Sequence, residues 1–342
     1  MRCRVRRVFM PSDTGTIVVG FVLPPLIALV VMLIAWRPWA TMRYEMSDVD
    51  EQTRTAAHRL PRAWWGGAVG LGIAVIVAHL GVAPKLSWPP VGSYDYRFVA
   101  AVGITLFALL FALVRIPLSL MLSLRYVLSA GAITGVVWRR FVNEQWELGE
   151  GIVIIGLLAL VVSAFWTMLE ILADRLKGAT PVVMLAILCF ASAPVLLFDA
   201  AYESAAMGGA AMGIVTLAVV PLAWLRKPIS LSRGGASVLG LMLPLLWIDA
   251  GVWQGGINAW QVGAFLLAPL GAVLCLIPFG RPRTRLRSLL AVGGVAILPI
   301  VVALETASRV NWREYGFDMD PLRGAVVEGE GEEEFDFSSY SR

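Results

Sequence analysis

Charge is what this chain most conspicuously lacks. Only 15% of its residues are charged, whereas an ordinary soluble domain carries about 25%, because its surface faces water. Histidine is scarcer still, with two residues, His58 and His79. The three cysteines, Cys3, Cys189 and Cys275, stand apart and form no C-x-x-C. That excludes a disulfide framework and a cysteine-rich zinc site on sequence grounds. No H-E-x-x-H, no G-x-x-x-x-G-K-[ST] and no G-x-S-x-G occurs, so the usual signatures of zinc proteases, P-loop nucleotide hydrolysis and serine hydrolases are missing. A Ser/His or Cys/His enzyme would have to use His79, and no nucleophile stands out at its depth. His58 lies beside Arg59 and reads as a solvated loop residue. No basic stripe is interleaved with aromatics, so no nucleic acid is expected as partner. No cofactor motif is present, and no cofactor is expected.

Hydrophobic residues take the place of the missing charge, at 58% of the chain. They gather into about ten stretches, each close to the roughly 20 residues that cross a hydrocarbon core of about 30 Å. In lipid every backbone polar group must be paired within the structure, which leaves only helices and closed barrels. Runs such as 151–165 do not alternate apolar and polar residues as barrel strands do. The expected fold is an all-α, polytopic bundle of about ten transmembrane helices, over 16–36, 64–83, 98–114, 117–137, 151–173, 181–200, 205–225, 236–255, 260–279 and 288–307. A short N-terminal tail (1–15) precedes this domain (16–307), and an acidic tail (308–342) follows it. The third and fourth helices are separated only by Arg115 and Pro117, which leaves a re-entrant segment open as an alternative. Pro24-Pro25 should kink the first helix, since proline removes a backbone donor. That helix is too long for the apolar core of a signal peptide and lacks a small-residue cleavage site.

Orientation follows from lysine and arginine. The basic loops 37–63, 174–180, 226–235 and 280–287 are expected on the cytoplasmic side of the cell membrane. The intervening segments around 201–204 and 256–259 contain neither residue. Ten helices then put both termini outside. Arg2, Arg4, Arg6 and Arg7 oppose that placement, and Met10 as the natural start would remove the conflict. Ser47 with Asp50 reads as a capping box opening a short surface helix in the inner loop. The outer segment 84–97, with Trp88, Pro89, Pro90, Tyr94 and Tyr96, reads as an interfacial lid. The tail bearing Glu328, Glu330 and Glu332–Glu334 reads as a disordered, solvated block.

The second half repeats itself. Pro194–Asp199–Ala200 recurs as Pro244–Asp249–Ala250, each followed by a helix holding a Pro-Leu pair (Pro221-Leu222, Pro269-Leu270) and by a basic residue before proline (Lys227-Pro228, Arg281-Pro282). A looser copy is Pro299–Glu305. The implied unit is a helical hairpin. At about 1.5 Å per residue, Asp199, Asp249, Glu305 and His79 fall at one depth, in the outer third of the bilayer. A charge inside a bilayer costs about 2.5–3.5 kcal/mol at the centre and less toward the interface. An anion near a helix C-terminus is further disfavoured. These four side chains are therefore the candidate ion or substrate pocket, with a proton, a cation, His79 or cavity water as compensation. The competing reading is that each acid simply reaches headgroup water. Arg125 and Glu170, on consecutive helices, are the candidate buried ion pair. Gly66-x-x-x-Gly70, Gly209-x-x-x-Gly213 and Gly251-x-x-x-Gly255 are candidate close crossings.

The leading functional expectation is a carrier-like or channel-like protein with an outward polar pocket. A non-catalytic subunit or scaffold, contacting other membrane subunits, comes second, and a membrane-embedded enzyme third. The lipid bilayer is the one partner all three share.

Overall fold

A computed structural model describes residues 14–35, 64–82, 86–114, 116–142, 146–176, 179–198, 203–225, 231, 234–254, 257–276 and 285–309. They form ten helices and, among the described residues, no strand. In chain order these are α1 (Thr14–Ala35), α2 (Trp64–Val82), α3 (Ser93–Leu113), α4 (Leu118–Val142), α5 (Leu148–Arg175), α6 (Thr180–Phe198), α7 (Glu203–Leu225), α8 (Gly235–Gln254), α9 (Ala259–Leu276) and α10 (Arg285–Arg309). Up to Ser308 they belong to one compact unit. The N-terminal arginines with Met10, the inner loop 37–63 with its Ser47 cap, Asp199 and the acidic tail lie outside the described residues.

Seven helices, α1 to α7, are long and apolar enough to cross a membrane, and the described parts of α8, α9 and α10 contribute shorter apolar runs. α3 and α4 both reach full spanning length. Apolar side chains cover the outside: Leu106, Leu110 and Leu113 on α3, Ile152, Val153, Leu157 and Leu160 on α5, and Leu217 on α7 are all exposed. Water penalises a surface of that kind by roughly 25 cal/mol per Å². The length of these helices and their oily exterior fit an integral membrane protein.

The packing order explains where the polar groups end up. Helices α2, α3, α4, α5, α6 and α7 all contact α8, and α1 packs between α2 and α7. Every described side chain from Gly234 to Ala250 is buried, so α8 is enclosed on all sides. α9 packs against α5.

Close backbone approach fixes several of these contacts. In α1 the turn Val18–Val22 is a π-turn, closed by the Leu23 amide donating to the Val18 carbonyl. Pro24 and Pro25 follow directly, and their rings crowd the carbonyls one turn back while offering no amide to them. The wider turn accommodates both effects and is the local form the expected kink takes. Gly20 in this turn meets Gly81 of α2 so closely that a Cβ on Gly81 would collide with the Gly20 backbone. On α7, Gly209 and Gly213 face Ser192 and Phe190 of α6, and on α2, Gly70 faces Ala28 and Met32 of α1. At Gly251 a Cβ meets nothing within 4 Å among the described residues, and Gly255 lies outside them.

Candidate functional site

The largest departure from the sequence reading lies at the start of α3. Residues 93–97 were expected in a loop, yet the helix begins at Ser93 and takes in Tyr94, Asp95, Tyr96 and Arg97. Asp95 is the reason. As the third helical residue its carboxylate accepts from the Gly92 amide (3.0 Å) and the Val91 amide (3.0 Å), and from the Ser87 amide (3.1 Å) and hydroxyl (2.5 Å). Orphan amides at a helix start are thus satisfied by an acid, as in a capping box. The same bonds tie the 86–92 segment to α3, with Trp88 projecting outward, 84% exposed.

About one turn of helix from Ser93 carries Arg97 inward, where it is 1% exposed. Its Nε lies 3.1 Å from Oδ2 of Asp249 on α8, which is fully buried. The guanidinium carbon sits 4.3 Å from the centre of the Tyr94 ring, a cation–π contact that strengthens where water is excluded. His79, near the end of α2, lies against the Tyr94 ring, with centroids 4.9 Å apart and planes tilted by 37°, and its Nε2 is 3.1 Å from the Tyr94 carbonyl. Phe98 adds a further ring 6.2 Å from His79. Thus α2, α3 and α8 converge on a closed polar cluster, His79–Tyr94–Arg97–Asp249.

A second cluster forms around α4, α5 and the other end of α8. Arg125 of α4, 1% exposed, pairs through Nη2 with Oε2 of Glu170 on α5. Nη1 donates to the Thr167 hydroxyl at 3.0 Å, and the Met121 sulfur lies 3.2 Å from Nη2. The other carboxylate oxygen of Glu170 accepts from the Trp166 indole at 2.8 Å and from the Ser237 hydroxyl of α8 at 2.6 Å. The Arg125 guanidinium sits over the Trp166 ring at 5.3 Å. α8 approaches α5 this closely because of Gly240, where a Cβ would stand 3.1 Å from the Trp166 backbone.

Of the candidates from sequence, the structure therefore brings Arg125 and Glu170 into direct contact. It brings His79 and Asp249 into one cluster, through Tyr94 and Arg97. Glu305 is half-buried on α10, beside Thr306, whose hydroxyl is 3.5 Å from the Gln261 amide of α9. Asp199 lies outside the described residues. Arg97 and Ser237 were not singled out beforehand, and Tyr94 was read only as part of the interfacial segment 84–97. The available signal was Asp95 three residues after Gly92, which starts a helix early enough to carry Arg97 into lipid depth, where a charge needs a partner.

Ser237 and Asp249 are separated along α8 by about 18 Å at roughly 1.5 Å per residue. Pro244 lies between them, inside the helix. Among the described residues no group of three or more His, Cys, Asp or Glu could hold a metal ion. No known protein-family model matches the chain, and no curated protein matches it in sequence.

Proposed function

We propose that this is a carrier-like protein of the cell membrane in which α8 is the gating element. One observation carries this reading: the helix enclosed on all sides is fastened at each end by a separate buried ion-pair cluster. Such pairs are costly in lipid and concentrate on ion and substrate pathways. A pair at each end of one central element is the arrangement that lets one face open while the other stays closed. Pro244 gives α8 a place to bend, because proline leaves a carbonyl one turn back without its usual amide.

The basic loops 37–63, 174–180, 226–235 and 280–287 are cytoplasmic in this reading. That makes His79–Tyr94–Arg97–Asp249 the outer gate and Arg125–Glu170–Ser237 the inner one. Exposed Trp88, Trp138, Trp224 and Trp260 lie near helix ends, as interfacial aromatic belts do on both sides of a membrane.

Sided thiol labelling tests the reading. In a cysteine-free background, a reporter Met242→Cys sits on α8 between the two clusters. Asp249→Asn should raise its labelling by impermeant reagent from outside and lower it from inside; Glu170→Gln should do the reverse. Unchanged labelling in both variants overturns the carrier reading.

The scaffold reading has one observation in its favour. Arg97 and Asp249 are almost completely buried and neutralise one another, as a fixed staple between helices would. It expects no reciprocal change in labelling.

A further inference from the structure

We infer that the outer cluster is a receptor for a carboxylate anion, and that Asp249 is a resident carboxylate which the ligand replaces after Asp249 takes a proton. The inference rests on the carrier reading, because replacement requires a site that opens.

The chemistry is written in the site itself. Arg97 already holds a carboxylate, so the place beside its guanidinium is shaped for that group. One face of the guanidinium lies on the Tyr94 ring. A ligand must therefore approach along the edge, where the N–H groups lie in a plane that matches a carboxylate in two-point fashion. The rings of Tyr94, His79 and Phe98 line the approach and suit an apolar or aromatic body behind the charged group. The 86–92 segment next to the cluster is held to the start of α3 by Asp95.

Charge balance decides why a proton accompanies the anion. Among the described residues the cluster pairs one buried cation, Arg97, with one buried anion, Asp249. Adding a second anion would leave a buried net charge, which a low-dielectric site strongly disfavours. If Asp249 takes a proton from the outer water, the incoming carboxylate assumes its role and the balance is kept. No bond other than O–H forms, and nothing is oxidised or reduced. The titratable or charged described groups toward this end of the elements packed on α8 are His79 on α2, Tyr94, Asp95, Tyr96 and Arg97 on α3, Glu147 and Glu150 at the start of α5, and Glu203 at the start of α7. Asp95 is fully engaged with the 86–92 segment. Among the described residues His79 is the titratable side chain in direct contact with Tyr94 of the cluster, so it must be separated experimentally.

The test uses the full chain in lipid nanodiscs, with sodium benzoate as probe and sodium chloride at equal ionic strength as control. Apparent affinity is read from the shift in melting temperature at about pH 5.5 and about pH 8. Benzoate should bind about tenfold tighter at the lower pH, a typical coupling between linked ligands. Asp249→Asn, an uncharged stand-in for the protonated acid, should bind at both values with the pH dependence gone. His79→Gln should keep the dependence. The double variant Arg97→Gln/Asp249→Asn, which leaves no buried unpaired charge, should not respond to benzoate. The inference is overturned by a benzoate effect that survives in the double variant, by pH dependence persisting in Asp249→Asn or vanishing in His79→Gln, or by no effect in the wild type and Asp249→Asn alike. If benzoate has no effect while the Met242→Cys reporter still shifts reciprocally, the ligand class falls and the carrier reading stands.

Discussion

Ser237 and Asp249 stand at opposite ends of one buried helix, and each is bound to a different ion-paired cluster. Ser237 donates to Glu170, the partner of Arg125, at 2.6 Å. Asp249 meets Arg97 at 3.1 Å. Displacing α8 therefore strains both clusters at once, and the consequences of breaking either are measurable.

The first concerns the Arg97–Asp249 pair. Arg97→Gln and Asp249→Asn each leave one buried group without its counter-charge, and each should lower stability by about 3–5 kcal/mol. The double variant Arg97→Met/Asp249→Leu should cost less than either charge-breaking change. Reversible denaturation in mixed micelles, analysed as a double-mutant cycle, reads the coupling. Additive losses would show that the two residues do not act as a pair.

Two buried tryptophans should respond differently to the same substitution. The Trp166 indole donates to Glu170 at 2.8 Å, whereas the Trp247 indole nitrogen is buried with no hydrogen-bond partner among the described residues. Trp166→Phe deprives a carboxylate of a donor and should cost roughly 1.5–3 kcal/mol beyond lost packing. Trp247→Phe removes an unsatisfied donor, keeps the stack on Phe265, whose centroid is 4.4 Å away, and should cost about 1 kcal/mol less than Trp166→Phe. Melting temperatures of the two variants decide this.

Glycine substitutions separate real crossings from incidental spacing. Gly81→Ala places a methyl group against the Gly20 backbone and should cost about 1–3 kcal/mol, as overpacking does. Gly251→Ala enters open space and should leave folded yield unchanged. Fluorescence-detected size exclusion compares the two directly.

Much of this architecture was legible in the chain. Long apolar runs bounded by arginine and proline mark most helix ends to within about three residues, because a bilayer dictates their length; the start of α3 and the end of α4 each lie five residues beyond the expected bound. Pro24-Pro25 marked the distorted turn in α1. The place of α8 could not be read in the same way. A helix apolar on every face is ordinarily a buried one, but lipid makes most helices of this chain apolar on every face, so Leu239–Leu246 look no different from the exposed run on α5. Arg97 was hidden for a related reason: Tyr94–Arg97 looks like headgroup-level loop until the Asp95 cap is recognised.

The 86–92 segment supplies a further test. Asp95→Ala removes the acceptor shared by Ser87, Val91 and Gly92 and should loosen the segment without unfolding α3 beyond its first turn, at a cost of roughly 1–2 kcal/mol for a lost cap. Hydrogen exchange should quicken at 87–95 and stay unchanged at 100–113. Uniform acceleration along α3 would contradict the capping role.

The whole account turns on the two ion-paired clusters facing opposite sides of a membrane. Impermeant maleimide applied to right-side-out and inverted vesicles, with single cysteines at Trp88 and Ala179, measures that directly. Trp88→Cys should label only in right-side-out vesicles and Ala179→Cys only in inverted ones. Labelling of both positions from the same face, or of a protein recovered in buffer without lipid or detergent, would contradict it.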